Sequence, residues 1–353
     1  MRGRGRASVA SGASPGQGPD RLGPARPGRL PLDPARFFAA SRLVIVAGKG
    51  GVGKTVVSAS LARAASRAGL SALVIEVEGK SGLPTMFGQA ALEYEEVTLH
   101  PGGGPRGEGE VRARTITPDQ ALLEYLADHG LSRISKRLVA SGALDVVATA
   151  APGIKDILIL GKVKQLERSG EVDLLILDAP AAGHAITFLQ SARALLDTVR
   201  VGPINAQARD VLEMLTDHER CRVLLVTLPE ETPVNELVET AFSIEDRVGV
   251  GLAPVVVNGL YDRIDGLAAD PVEAAEAAGT SLRAGEAEVL RAAAEFRTDR
   301  IALQEEQLAR LAEALPLEQL RLPFVFTTEI GPAELEALAE HLLAEIERLP
   351  EVV

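Results

Sequence analysis

The chain has 353 residues, 46% of them hydrophobic, and a formal net charge of −12. That apolar content supports a large buried core and excludes a chain too polar to fold. No run approaches the roughly 20 apolar residues of a membrane-spanning helix, no signal-peptide order is visible, and the lone Cys221 excludes an internal disulfide or a single-chain thiolate cluster.

A cytoplasmic protein is therefore expected. Residues 1–36 hold seven arginines and two acids among Gly, Pro, Ser and Ala, so the charge divides into about +5 there and about −17 in the remainder. This composition predicts a disordered basic tail ahead of an acidic folded body. An acidic body lacks the clustered cations that displace counterions from a nucleic acid, so none is expected as a partner.

The first apolar, β-branched run, residues 42–47, reads as a strand, and it is followed by a glycine-rich turn and helical spacing over 56–68. A second strand is predicted at 72–77. A glycine-rich loop at 101–109 precedes a third strand at 111–117. Residues 119–170 carry helical patterns, notably 120–126 and 154–167, and read as a helical insertion between core strands. Beyond it come a strand at 173–178, a helix at 185–196, a strand at 222–228, a helix at 235–247 and a strand at 254–258. A long amphipathic helix at 286–314, a strand at 323–326 and a helix at 334–347 complete the reading.

Strands alternating with helices imply right-handed crossovers and a parallel sheet covered on both faces. Continuous apolar runs such as Leu174-Leu175-Ile176-Leu177 and Val255-Val256-Val257 fit strands buried on both sides. The expected fold class is α/β, a doubly wound and mostly parallel sheet with helices on both faces, plus the helical insertion. It makes one domain over 37–350.

Gly48-Lys49-Gly50-Gly51-Val52-Gly53-Lys54-Thr55 matches G-x-x-x-x-G-K-[ST] and lies between a predicted strand and a predicted helix, the context this motif requires. Its glycines let consecutive N–H groups converge on phosphate oxygens at a helix N-terminus. Lys54 suits the β- and γ-phosphates, Thr55 suits magnesium, and Lys49 can stabilise phosphate charge, most effectively from a neighbouring subunit. ATP and Mg2+ are the expected cofactors.

The stretch from Lys49 to Thr55 resembles the deviant Walker A motif of the superclass that includes ArsA, the tail-anchored-protein targeting ATPase, MinD, ParA and the nitrogenase iron protein. Asp178-Ala179-Pro180-Ala181-Ala182-Gly183-His184 is similar to the Asp-Thr-Ala-Pro-Thr-Gly-His switch of the branch shared by ArsA and the targeting ATPase. Arg114-Thr115-Ile116-Thr117-Pro118, Ala151-Pro152-Gly153-Ile154 and Val256-Val257-Asn258 fit the same branch. The resemblance covers one ArsA-type unit.

That resemblance implies that Asp178 holds a magnesium water, that Gly183 gives a backbone N–H to the γ-phosphate and that Asn258 contacts adenine. It implies that Glu78 stands where the family has a water-orienting aspartate. Glu76 is the alternative, as a strand residue that can instead face a polar edge. In the second switch Ala181-Ala182 replaces Pro-Thr, so hydrolysis is expected to be slow.

The function implied is a dimeric, ATP-hydrolysing switch that couples nucleotide state to a protein or membrane-protein partner. Its second subunit is either another copy or a related ATPase, its cargo a hydrophobic helix, and any membrane association peripheral and partner-mediated at the inner face. The alternative is a weakly hydrolysing or non-hydrolysing subunit of a heteromeric pair. An arsenite pump fits poorly with one cysteine, and a MinD- or ParA-type positioning ATPase fits poorly with an acidic C-terminus.

Overall fold

The computed structural model of the chain describes residues 32–77, 82–89, 92, 94–105, 107–128, 153–180 and 182–350. The sequence-based readings for residues 1–31 of the basic tail and for Glu78 lie outside the described residues; the end of that tail is not disordered as expected, since Asp33 caps a helix that begins at Pro34.

The core of the fold is a nine-stranded sheet. Its strands are β1 (Leu43–Ala47), β2 (Ala72–Val77), β3 (Val97–His100), β4 (Val111–Ile116), β5 (Leu174–Asp178), β6 (Cys221–Thr227), β7 (Gly251–Leu252), β8 (Val255–Leu260) and β9 (Gln319–Pro323). Their order is β3-β4-β2-β5-β1-β6-β8-β9, with β7 paired to β6. All pairings are parallel except that of β3 with β4 at the edge. This is the expected doubly wound α/β fold. β1 has β5 on one side and β6 on the other, and a loop leaving its carboxyl end enters the crevice where such sheets bind ligands.

Alternation along each strand divides the core into two layers. Leu43, Ile45, Leu73, Ile75, Leu175, Leu177, Val223 and Leu225 pack on one face. Against them lie α5 (Ile154–Ser169), α6 (Ala182–Thr198), α7 (Pro203–Thr216), α8 (Glu231–Arg247) and the end of α10 (Glu286–Ala314). Val46, Ala72, Val74, Leu174, Ile176, Leu224 and Val226 pack on the other. There they meet α1 (Pro34–Phe38), α2 (Lys54–Arg67), α3 (Leu83–Met86) and α11 (Pro332–Glu347). α4 (Pro118–Asp128) adds Ala121, Leu122 and Tyr125 to the first layer, and α9 (Pro271–Ala277) is a short further helix.

Within the segment read as a helical insertion, α5 buries Ile157, Leu160 and Val163 in the first layer, while residues 129–152 lie outside the described residues. Cys221 opens β6, is fully buried and is in register with Leu43. Burial pushes its thiol well above the ordinary cysteine range.

The last strand differs from the expectation at 323–326. It runs Gln319–Pro323, with Leu320 and Leu322 inside. Phe324 and Phe326 leave the sheet and form a cluster with Tyr261, with ring centroids 4.8 to 5.6 Å apart and the Arg297 guanidinium over the Tyr261 and Phe326 rings. Just past Pro323 the Phe324 N–H still donates to the Leu260 carbonyl of β8 at 2.7 Å, after which the chain turns away.

Candidate nucleotide site

β1 ends at Ala47, and the chain turns through residues 48–53 into α2, whose first residue is Lys54. Gly53 caps α2 with a left-handed φ of 90°, which demands glycine, and a β-carbon there would lie 2.3 Å from Asn258 Nδ2 and displace that side chain from the loop. At Gly48 a β-carbon would lie 2.3 Å from the Val226 carbonyl oxygen of β6. The loop is thus seated tightly on its neighbouring strands. Val52 is buried beneath it, while Gly50 and Gly51 are exposed at its crown.

Lys54 Nζ donates to the Lys49 carbonyl at 3.0 Å. Burial holds its pKa below the ordinary lysine value, and the Asp178 charge partly offsets this. Thr55 Oγ1 donates to Asp178 Oδ2 at 2.7 Å, joining the first turn of α2 to the end of β5 across 123 residues of sequence. Burial pushes the Asp178 carboxyl above its ordinary value, against the lowering effects of the Thr55 bond, the Lys54 charge and the Ser58 hydroxyl. Among the described residues Asp178 Oδ1 is buried with no group in good hydrogen-bond geometry.

Glu76 is also here. It is in register with Asp178 on the adjacent strand and is 4% exposed, and among the described residues its Oε1 is buried without a partner. Burial, and then the Asp178 charge, push its carboxyl up to about 7. A polar sheet edge, the alternative surrounding considered for this residue, is not what it faces: β2 lies inside the sheet between β4 and β5.

Lys49 points elsewhere. Its Nζ forms a 2.5 Å ion pair with Glu236 Oε1 on α8, both side chains being about 40% exposed. Asn258 on β8 donates through Nδ2 to the Val52 carbonyl at 3.0 Å, so it touches the loop directly. Gly183 falls in the first turn of α6. Lys49, Lys54, Thr55, Asp178 and Asn258 therefore converge on the loop and its flanks. Glu236 carried no sequence signal, since a glutamate on an amphipathic helix 187 residues from its partner looks like any solvated acid.

These residues fit magnesium-bound nucleotide. A glycine loop at a helix N-terminus, with a lysine and a hydroxyl in its first turn, presents donors to phosphate. Beside it, two buried carboxylate oxygens that lack a well-placed donor among the described residues, Asp178 Oδ1 and Glu76 Oε1, match the water shell of a hard cation that prefers oxygen.

Residues 41–201 match the family model described as anion-transporting ATPase. ATPase BagA of Mycobacterium tuberculosis is 33% identical over 224 residues, covering 62% of this chain and 64% of that one. A putative arsenical pump-driving ATPase of Halobacterium salinarum is 27% identical over 62% of this chain and 36% of its own length. ATPase get3 of Schizosaccharomyces japonicus is 31% identical over 50% of this chain and 54% of its own. The chain thus spans less than two thirds of the length of these relatives. Among the described residues no helix is long and apolar enough to cross a membrane. The phosphate loop, the Thr55–Asp178 pair and these likenesses agree: over residues 41–201 the chain is similar to the ArsA-like, anion-transporting ATPases.

Proposed function

We propose that the chain is a magnesium-dependent, ATP-hydrolysing switch that works as a dimer in the cytoplasm and couples its nucleotide state to a protein or membrane-protein partner. The observation that carries the reading is the Thr55–Asp178 contact of 2.7 Å beside Lys54 at the head of α2. In P-loop enzymes a hydroxyl and a carboxylate so joined are the pair that holds the ion of a nucleoside triphosphate.

On this reading the backbone N–H groups of Gly50, Gly51, Val52, Gly53, Lys54 and Thr55 bind the phosphates, and Lys54 leaves the Lys49 carbonyl to bond the β- and γ-oxygens. Thr55 and Asp178 hold magnesium, which when bound neutralises phosphate charge and fixes the orientation of the terminal group. Glu78 orients the attacking water, and the Gly183 N–H bonds the γ-phosphate. Asn258 serves the base end. Lys49 exchanges Glu236 for phosphate of its own or a second subunit. The second subunit is another copy or a related ATPase, and the cargo is an apolar helix received by the 119–170 segment.

The test is ATP hydrolysis by the purified chain with magnesium, beside Lys49→Ala and Glu78→Gln, with mass followed by light scattering. Turnover lost in both variants together with an ATP-dependent dimer supports the switch. Tight ATP binding with no turnover assigns the chain instead to a heteromeric pair in which a related subunit hydrolyses. No ATP binding overturns both.

A further inference from the structure

Glu76 is the acid at this site that the phosphate-loop motif does not name. In β2, Ala72 and Val74 pack in the layer that contains α2, whereas Leu73 and Ile75 pack in the opposite layer. Glu76 continues the side of Val74. In β5, Leu174 and Ile176 lie in that same layer, so Asp178 emerges there too, and the two acids are register partners on adjacent strands. Neighbouring strands lie about 4.8 Å apart, so the carboxylates stand side by side below the first turn of α2. Thr55 meets Asp178 from that turn.

Such a juxtaposition is destabilising in itself. Two buried acids repel, and among the described residues Glu76 Oε1 and Asp178 Oδ1 have no well-placed donor. Thr55, Lys54 and the Ser58 hydroxyl compensate Asp178. Among the described residues no hydrogen bond or ion pair serves Glu76 Oε1. A serine or valine would fill a strand position of this kind without that penalty, so the acid is explained by what binds it rather than by the fold.

Building on the proposed ATPase reading, we infer that Glu76 is a positioning residue for the metal, accepting a hydrogen bond from a water in the shell of the magnesium ion that Thr55 and Asp178 hold. One strand further from α2's hydroxyl than Asp178, it meets the shell rather than the ion. Magnesium keeps several of its waters when protein-bound, and those waters are strong donors, which is what an orphaned carboxylate oxygen lacks. The role is separate from that of Glu78, which follows the strand; either acid can act without the other.

The experiment uses the full chain and a fluorescent ATP analogue, titrated with magnesium or held in EDTA, for the parent, Glu76→Gln and Glu76→Asp. The magnesium concentration that half-saturates the tightening of nucleotide binding rises about tenfold or more in Glu76→Gln. Affinity in EDTA stays unchanged, and Glu76→Asp recovers part of the response. The nucleotide-free Glu76→Gln protein melts at or above the parental temperature, the opposite of what loss of a structural contact produces. An unaltered magnesium response in Glu76→Gln overturns the inference and leaves the ATPase reading intact. An equal loss with magnesium and in EDTA, or a lowered melting temperature in both variants, assigns Glu76 a structural role and also overturns it. Failure of the parent chain to bind the analogue in either condition overturns the ATPase reading instead.

Discussion

Lys49 cannot serve a phosphate while it is paired to Glu236. Their 2.5 Å contact sits at the surface with both side chains about 40% exposed, and exposed pairs of this kind are worth about 0.2–1 kcal/mol. Replacing the acid by its neutral isostere, Glu236→Gln, removes that competition. Since 1.4 kcal/mol is a factor of ten, ATP affinity should rise about 1.5- to 5-fold. The gain should shrink as salt rises from low ionic strength to about 0.5 M, because screening already weakens the pair in the parent protein.

Titration of a fluorescent ATP analogue at two salt concentrations reads the effect. The same titration in Lys49→Ala and in the double variant isolates the pairwise part. If Lys49 acts across a dimer, the gain appears above the concentration at which light scattering detects the dimer and vanishes below it. The reasoning is refuted if Glu236→Gln binds ATP no better than the parent with an unchanged melting temperature. It is equally refuted if the gain persists in the Lys49→Ala background.

Other consequences are more local. Because burial and Asp178 raise the Glu76 carboxyl to about 7 in the folded chain, ionising it is harder folded than unfolded. The stability of the nucleotide-free protein should therefore be fully present, for this group, below about pH 4.5 and decline as pH rises towards 7, by about 1–3 kcal/mol after allowance for solvent screening. Urea unfolding in EDTA across that range measures the slope, and Glu76→Gln should flatten it. Gly53→Ala sets a β-carbon against Asn258 Nδ2 at a φ of 90°, and should lower stability by about 1–3 kcal/mol while weakening ATP binding. A calorimetric titration with unchanged affinity would refute that. Arg220 grips Glu167, which is 3% exposed, through bonds of 2.6 and 3.2 Å. Arg220→Ala strands a buried charge and should cost about 3 kcal/mol by urea melt, whereas the paired replacement Arg220→Leu with Glu167→Leu should recover most of it.

The phosphate loop was legible because its chemistry is local: eight consecutive residues carry the turn, the helix start, the lysine and the hydroxyl. Asp178 was legible because it ends a strand of unbroken apolar residues. Strand and helix alternation made the doubly wound sheet readable as well. What escaped depends on partners brought together by tertiary structure. The Lys49–Glu236 pair joins a loop to a helix with no pattern of its own. The burial of Glu76 follows from which strand lies beside β2, and sequence order places β5 far from it. β9 was displaced because the aromatic run after Pro323 looks more strand-like than Gln319-Leu320-Arg321-Leu322, where a single buried face alternates with charge. β3 pairs antiparallel at an edge and is four residues long, too short for periodicity to register.

The position of Cys221 gives the molecule a built-in reporter. The thiol lies at the start of β6, an interior strand, at a depth no reagent reaches while β1 and β6 remain zipped. Burial also keeps it protonated, the form that does not attack disulfides or maleimides. Since it is the one cysteine of the sequence, every modification event counts an opening of the centre of the sheet. The rate of thiol labelling in the native protein is thus a clock for opening at the strand that abuts the phosphate loop, and slower labelling in the presence of ATP would measure how firmly the nucleotide closes it.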